Sequence, residues 1–361
     1  MFGELFMKNR LLQSVVCISC IAPFMLFAGA DIQEDEQMQQ ALNQNARPRV
    51  IMPNAGQRVE NGADVYIDAA YLYLKATQDN MSFAKDGVST ATSGDATLTK
   101  GEYKLPGFHY NSGFQATLGV GVGYDGWDLR ARYTWYDHTR EKTRSEASHL
   151  VPTLDFSLPS SVTQADGEWA FRLNNIDFDL GRDFYVSQYI SLRPAIGLKS
   201  AWQRQEFNVD YFWTNSAQSA LETSLHQTAK SFGIGLRTAL QAGFQFNKNF
   251  SIVANSALNI LSTNKKSEAT NLEKPTTPVG AAGTISQHIE QKATTMQPVA
   301  ELQMGLQYDV WFLEDAYHLG INVGWLMQSW MHNNFFSTAV AEGQKGDLSL
   351  NGVLGRLRFD F

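Results

Sequence analysis

Cysteine is nearly absent: the 361 residues hold two, Cys17 and Cys20, and both lie within the first thirty positions. Their C-x-x-C spacing would suggest a redox or metal site in a cytosolic chain. Here it sits in a segment that reads as removable, so the remaining chain has no thiol with which to build a disulfide or a thiolate metal site. A second absence is a long apolar run. Beyond that first segment nothing approaches the roughly 18 apolar residues that a membrane-spanning helix needs, so any membrane contact must be made by strands. Positive charge is also short, with 29 Lys and Arg against 36 Asp and Glu and a net charge of −7. That balance argues against a nucleic-acid partner.

The first segment has the layout of an export signal. Lys8 and Arg10 precede LLQSVVCISCIAPFMLFAGA, which ends in the small-x-small triplet Ala28-Gly29-Ala30 before the acidic stretch from Asp31 to Glu36. Cleavage after Ala30 is expected, with Met7 an alternative start. A retained helical anchor is the competing reading, and a lipoprotein signal at Cys17 or Cys20 is a poor match. Residues 1–30 are therefore read as a cleaved signal peptide and 31–63, rich in Gln, Asn and Glu, as a polar periplasmic tail lacking the apolar content for a core. Residues 64–361 are read as the folded domain.

From Val65 onward the sequence alternates with a period of two. Val65, Ile67, Ala69, Tyr71 and Tyr73 interleave with Tyr66, Asp68, Ala70 and Leu72; Phe114, Ala116, Leu118, Val120 and Val122 interleave with Gln115, Thr117 and three glycines. Trp127 to Trp135, Ile190 to Leu198, Phe232 to Phe246, Phe250 to Ser262, Leu302 to Tyr308 and Leu319 to Met327 repeat the pattern. Alternation of this length is the signature of strands with one apolar face.

Connections sort by length. Short links lie at 124–126, around Ser187, at 247–249 and around 314–316, and long polar links span about 77–112, 139–165, 213–228, 264–292 and 336–345. Ten strands satisfy this arrangement, and twelve would follow if 78–110 hid another hairpin. Short periplasmic turns, long extracellular loops and an even strand count describe a closed antiparallel transmembrane β-barrel in a bacterial outer membrane. Aromatics mark its two rims. Tyr124, Trp127, Phe184, Tyr185, Tyr189, Phe246, Phe250, Tyr308, Trp311, Phe312, Tyr317, Phe359 and Phe361 fall near short turns; Tyr71, Tyr73, Trp135, Tyr136, Trp202, Phe207 and Trp330 fall toward long loops. Such rings gather at membrane interfaces.

The outward parity carries almost no charge, Arg182 and Arg204 near strand ends excepted. The inward parity is charged. Asp177, Asp179 and Asp183 on one strand should face Arg193, Lys199 and Gln203 on its hairpin partner, and Asp128, Arg130, Arg132, Arg237, Glu301, Asp309, Arg356 and Arg358 extend a lumen of mixed sign. These residues are the candidate pore lining. As charges alone they read first as ion pairs filling a narrow barrel, although inward glycines at 113, 119, 121, 123, 233 and 235 leave room on one side and a barrel can pair charges along its wall and still conduct. No catalytic, cofactor-binding or metal-binding residues are assigned. Asp137 and His138 are adjacent, so a strand points them to opposite faces. Gly119-Val120-Gly121-Val122-Gly123 lacks the helix that a phosphate-binding loop requires.

NGADVYIDAAYLYLKATQDNMSFA, GYDGWDLRARYTWYDH and IDFDLGRDFYVSQYISLRPAIGLKSAWQRQEFNVDY resemble the Legionella-type major outer membrane protein family and the major-porin-like barrels of environmental chlamydiae. The resemblance runs from about 62 to 361 and is most specific in LGRDFYVSQYISLRPAIGLK, where Arg182, Arg193, Pro194 and Lys199 stand where the family pattern places them. It implies a pore-forming outer-membrane barrel in contact with lipid, passing small hydrophilic solutes by diffusion, with loops that could meet a host-cell surface. It also implies that the terminal Leu357, Phe359 and Phe361 act as the signal read by barrel-assembly machinery. A structural or adhesive surface barrel with a filled lumen is the alternative, and no enzymatic activity is expected. Family members often cross-link their envelopes through cysteines, which this chain lacks after cleavage.

Overall fold

A computed structural model of the protein describes residue 59 and residues 64–86, 101–122, 125–154, 162–214, 220–275, 284–336 and 346–361. The expected signal peptide (1–30) and nearly all of the polar tail (31–63) lie outside the described residues, as do the inward Gly123 and the rim aromatic Tyr124.

Among the described residues there are fourteen strands: β1 (Val65–Gln78), β2 (Ala84–Lys85), β3 (Tyr103–Lys104), β4 (Tyr110–Gly121), β5 (Trp127–His138), β6 (Lys142–Pro152), β7 (Val162–Arg182), β8 (Phe184–Tyr185), β9 (Ile190–Thr214), β10 (Ala220–Gln245), β11 (Phe250–Pro275), β12 (Thr284–Phe312), β13 (Tyr317–Trp330) and β14 (Leu348–Asp360). Ten of them form a ring of antiparallel ladders in the order β1, β4, β5, β7, β9, β10, β11, β12, β13, β14, and β14 pairs back onto β1. The last residue takes part in that junction: Phe361 N–H donates to Val65 O at 3.0 Å and Val65 N–H donates to Phe361 O at 3.3 Å. A ring is what hydrocarbon demands, because every strand then has two partners and no edge is left with unpaired backbone.

The ring holds ten strands, as the loop-length pattern implies. The short hairpin β2–β3 does occur within 78–110, but it stays out of the ring and pairs with β6 instead. The long-loop boundaries differ from the sequence reading. Segments 213–228 and 264–292 are largely strand, since β9 and β10 pair from Thr214 and Ala220 and β11 and β12 pair up to Glu273 and Thr284. These outer parts are polar on both faces, so they carry no apolar alternation. They are held by ladder hydrogen bonds and cross-strand ion pairs, among them Lys274–Glu222 at 2.9 Å and Lys266–Glu290 at 3.4 Å.

Short turns are built by local chemistry. Asp125 and Gly126 both have positive φ, the geometry that joins two twisted strands tightly, and Arg182 Nε donates to Asp125 O at 2.8 Å. The Asn247 carboxamide oxygen accepts from the N–H groups of Asn249 and Phe250 at 2.9 and 2.8 Å, an Asx turn. Ser187 Oγ does the same for Tyr189 and Ile190.

Outside, mid-strand residues such as Leu236 (70% exposed), Leu258 (65%), Ile196 (64%) and Leu306 (64%) form an apolar surface of the kind that membrane contact covers. Below it Phe312, Tyr317, Phe359 and Phe361 stack in succession, with ring centroids 5.7, 5.9 and 6.0 Å apart. Three aromatics expected at the upper rim are elsewhere: Tyr136, Phe207 and Trp330 are buried inside the ring. Each shares the parity of inward residues on its own strand, and that parity outweighs the preference of aromatics for interfaces.

The inward glycines leave less room than their lack of side chain suggests. The Tyr66 ring occupies the place of a side chain at Gly119, where an added Cβ would lie 1.9 Å from Cζ. Tyr136 abuts Gly113, and Thr263 Oγ1 abuts Gly233. Gly119→Ala should therefore lower stability by about 1–3 kcal/mol through overpacking, read as a lower midpoint of heat-modifiable mobility on gels. Gly355→Ala, which meets nothing within 4 Å, should leave that midpoint unchanged.

Candidate functional site

The interior of the ring divides into two zones. The lower one, toward the short turns, is polar and charged, and alternation alone delivers its residues: Asp128, Arg130 and Arg132 from β5, Asp177 and Asp179 from β7, Arg193 and Lys199 from β9, Arg237 from β10, Glu301 from β12, and Arg356 and Arg358 from β14; Gln203 of β9 lies above them, in register with Leu173. All twelve face inward and are buried or half-buried.

These charges form linked pairs. Near the short turns His318 stands between Asp309 (2.9 Å) and Asp360 (2.7 Å), and Arg358 Nη2 lies 2.6 Å from Asp360. The Arg358 guanidinium sits 3.7 Å over the Tyr66 ring, a cation–π contact. One level up, Asp128 is shared by Arg130 and Arg193, each at 2.8 Å, and Asp183 lies 3.9 and 3.7 Å from the same two bases. Arg356 Nε is 3.8 Å from Asp68, and its Nη2 donates to Gln115 at 3.2 Å and to Gln303 at 3.4 Å. Higher still, Lys199 Nζ bridges Asp177 (2.8 Å) and Glu301 (3.0 Å), and Arg237 bridges Glu301 (2.9 Å) and Asp179 (3.0 Å), with Asn259 donating to Glu301 at 3.1 Å.

Asp177 and Lys199 are direct cross-strand partners, as expected for this hairpin. The pairs Lys199–Glu301 and Arg237–Asp179 cross between strands that are not neighbours, which only the curvature of the ring makes possible. Arg132 lies opposite Asp177 in the β5–β7 register, and Gln203 faces inward without joining the pairs above. His318, Asn259, Asp68 and Tyr66 are site residues that sequence reasoning passed over, although each has inward parity.

The upper zone is apolar. Leu72, Leu74, Tyr136, Trp169, Phe171, Phe207 and Trp330 pack into one buried cluster with Met81 and Phe83, which follow β1, and Phe336, which follows β13. Trp169 and Phe171 stack at 5.7 Å, Phe207 and Phe336 lie 5.8 Å apart, and the Phe83 ring lies against Gly167. Polar anchors fix the two entering segments. Tyr211 Oη donates to Phe83 O at 2.5 Å, and Lys265 Nζ donates to His332 O at 2.5 Å. A buried chain of amides crosses the interior: Gln297 donates to Asn333 (2.7 Å), Asn333 to Gln78 (3.1 Å), and Gln205 also to Gln78 (3.4 Å), while Trp169 Nε1 donates to Gln205 (3.3 Å). The Lys199 ammonium, 5.6 Å from the Trp330 ring centroid, marks the boundary between the zones.

Over this cluster lies the small sheet of β2, β3 and β6. Its ion pair Lys104–Asp86 is 2.8 Å long, and the hydrogen bond from Lys104 holds the Asp86 carboxyl below the ordinary value of 3.8. A depressed carboxylate stabilises above its unfolded pKa, so this contact is complete at neutral pH and is lost as the pH falls through the lowered value. Asp137 and His138 do face opposite ways: Asp137 pairs with exposed Arg172 at 3.0 Å, and His138 is buried with Asn111 at 2.9 Å. Among the described residues no cluster of three His, Cys, Asp or Glu could hold a metal.

Space inside is limited and uneven. A cavity of about 260 Å³ lies at the short-turn end, lined in part by Arg130, Asp183, Gln241, Gln245, Lys248 and Arg358. Above it, cavities of about 40 and 30 Å³ lie among the ion pairs.

A family model described as the Legionella pneumophila major outer membrane protein precursor matches residues 60–361. No curated protein matches the chain. Among solved structures, the outer membrane protease OmpT from Escherichia coli is 10% identical, with 85% of this chain and 99% of that one covered and a TM-score of 0.39. Ail, the attachment invasion locus protein of Yersinia pestis, is 10% identical over 82% and 99% of the two chains with a TM-score of 0.24. A Pseudomonas aeruginosa FadL homologue is 9% identical over 82% and 89% with a TM-score of 0.24. Scores this low carry no argument about activity.

Lys199 is the most demanding residue of the charged zone, since it is fully buried between two acids. Lys199→Met leaves Asp177 and Glu301 without it and should cost about 3–5 kcal/mol, measured by urea unfolding in detergent. Lys199→Met combined with Asp177→Asn and Glu301→Gln should recover much of that loss.

Proposed function

Because the chain belongs to the Legionella major outer membrane protein family and its ring presents an apolar exterior to outer-membrane lipid, we propose that it is a narrow, non-enzymatic, porin-like barrel. In this reading it passes ions and small hydrophilic solutes, and the conformation described is shut at its outer end.

The observation that carries the proposal is the division of the interior. Buried ion pairs are often no better for stability than apolar residues of the same volume. A wall of charges maintained through half a barrel is therefore better explained by a polar path than by packing alone. The cavity at the short-turn end is the wide part of that path, and the ion pairs narrow it. Above Lys199 the path meets Trp330, Trp169 and Phe83, and the amides there, Gln78, Gln205, Gln297 and Asn333, are bonded to one another, so a hydrated ion finds little to replace lost water. Phe83 and the residues around Phe336 belong to connecting segments, tied to ring strands by Tyr211 and Lys265, and those segments are the parts that could withdraw. The closing strand has a role in assembly as well: Leu357, Phe359 and Phe361 share its outward parity, which supports reading them as the signal for barrel-assembly machinery.

A second reading has an observation of its own. The apolar cluster is as well buried as the core of a soluble domain, which favours a permanently filled surface barrel. Conductance in planar bilayers separates the two. The unaltered protein should give rare, small steps. Trp169→Ala removes packing worth about 3–5 kcal/mol in the shut state and should raise open probability about tenfold or more. Absence of discrete steps from both proteins would refute the porin reading and leave the filled barrel.

A further inference from the structure

Four cations stand directly opposite one another on the outer face of four adjacent strands. Arg204 of β9 pairs in register with Lys230 of β10, Lys230 with Lys266 of β11, and Lys266 with Lys292 of β12. Like charges in direct cross-strand register repel, so the row is an arrangement that folding alone disfavours. Acids offset part of it: Arg204 lies 2.7 Å from Glu206, Lys266 2.5 Å from Glu268, and Lys292 2.8 Å from Glu290. Lys230 is exposed, and no acid lies within ion-pair distance of it among the described residues, although its charge reaches Glu268 from farther off.

The row's place on the barrel says what would neutralise it. One step along each strand toward the membrane lie Trp202, Phe232, Asn264 and Thr294, themselves in register, and beyond them the exposed apolar surface of Leu198, Leu236 and Ile260. The cations thus begin where the apolar belt ends, on the long-loop side that faces outward in outer-membrane barrels. A concavity of about 610 Å³ lies over Lys230, Phe232, Asn264, Lys266, Lys292 and Thr294. Successive strands are about 4.8 Å apart, so the row extends about 14 Å and can engage more than one anionic group.

We infer that this row binds the phosphate-bearing headgroups of outer-leaflet lipid, with Lys230 taking a phosphate directly and Lys266 and Lys292 shared between phosphate and the acids beside them. Acyl chains of the same lipid would lie along Phe232 and Leu236. The inference concerns the outer surface and stands independently of whether the lumen conducts.

The test uses the full chain in phosphatidylcholine nanodiscs and measures binding of diphosphoryl lipid A against the same lipid stripped of phosphate. Binding should require the phosphates and weaken with salt. It should fall about five-fold for Lys230→Gln and on the order of 100-fold for Lys230→Gln, Lys266→Gln and Lys292→Gln together. Lys248→Gln, at the opposite end over Trp311, should bind as the unaltered protein does. Lys230→Gln should melt no lower than the parent in neutral detergent, since it relieves repulsion without breaking an observed pair. Equal binding of the phosphate-free lipid, or parental affinity in the triple variant, would overturn the assignment.

Discussion

A backbone in hydrocarbon has no water to bond, and every other feature of this protein follows from that constraint. It forces the strands into a ring, and the first and last strands complete it through Val65 and Phe361. It also gives each strand two environments at once, because successive side chains point alternately to lipid and to the interior. Ile196, Leu236 and Leu258 on the outside and Lys199, Arg237 and Asp177 on the inside are consequences of the same period of two.

A ring of ten strands has an interior close to the size that side chains fill unaided, so what fills it defines the molecule. In the lower half charges are tied to one another across non-neighbouring strands, leaving water-sized gaps and one larger cavity. In the upper half Trp169, Phe171, Tyr136 and Trp330 meet Phe83 and Phe336 from connecting segments. Lys199 belongs to both halves, bonded to acids and set over an indole. The outer wall repeats the layering on a different scale, passing from aliphatic residues to Trp202 and Phe232 and then to a row of cations.

Much of this was legible in the sequence because lipid imposes a simple rule on the outward parity. Ten strands, the inward charges and the Asp177–Lys199 pairing all follow from alternation and hairpin register. The apolar upper zone was legible too, but a competing rule hid it. Tyr136 shares parity with Thr134 and Arg132, Phe207 with Gln205 and Gln203, and Trp330 with Gln328, yet aromatics near strand ends suggest a membrane girdle. Parity is the stronger constraint, since a single strand cannot turn one side chain over without a bulge. Other features were not legible at all. Lys199–Glu301 depends on curvature that no local pattern encodes, the entry of Phe83 and Phe336 depends on irregular segments, and the polar outer hairpins of β9 to β12 lack the apolar signal by which strands are recognised.

The central claim is that the polar interior is continuous with the short-turn side and sealed from the long-loop side. Cysteine accessibility tests it directly, because the chain's own two cysteines, Cys17 and Cys20, can be changed to serine without touching the described fold. With Gln241→Cys placed in the lower cavity and protein inserted in one orientation in liposomes, a small charged thiol reagent is added to one side at a time. Rapid reaction is expected from the short-turn side and almost none from the long-loop side. Equal rates from both sides would contradict it.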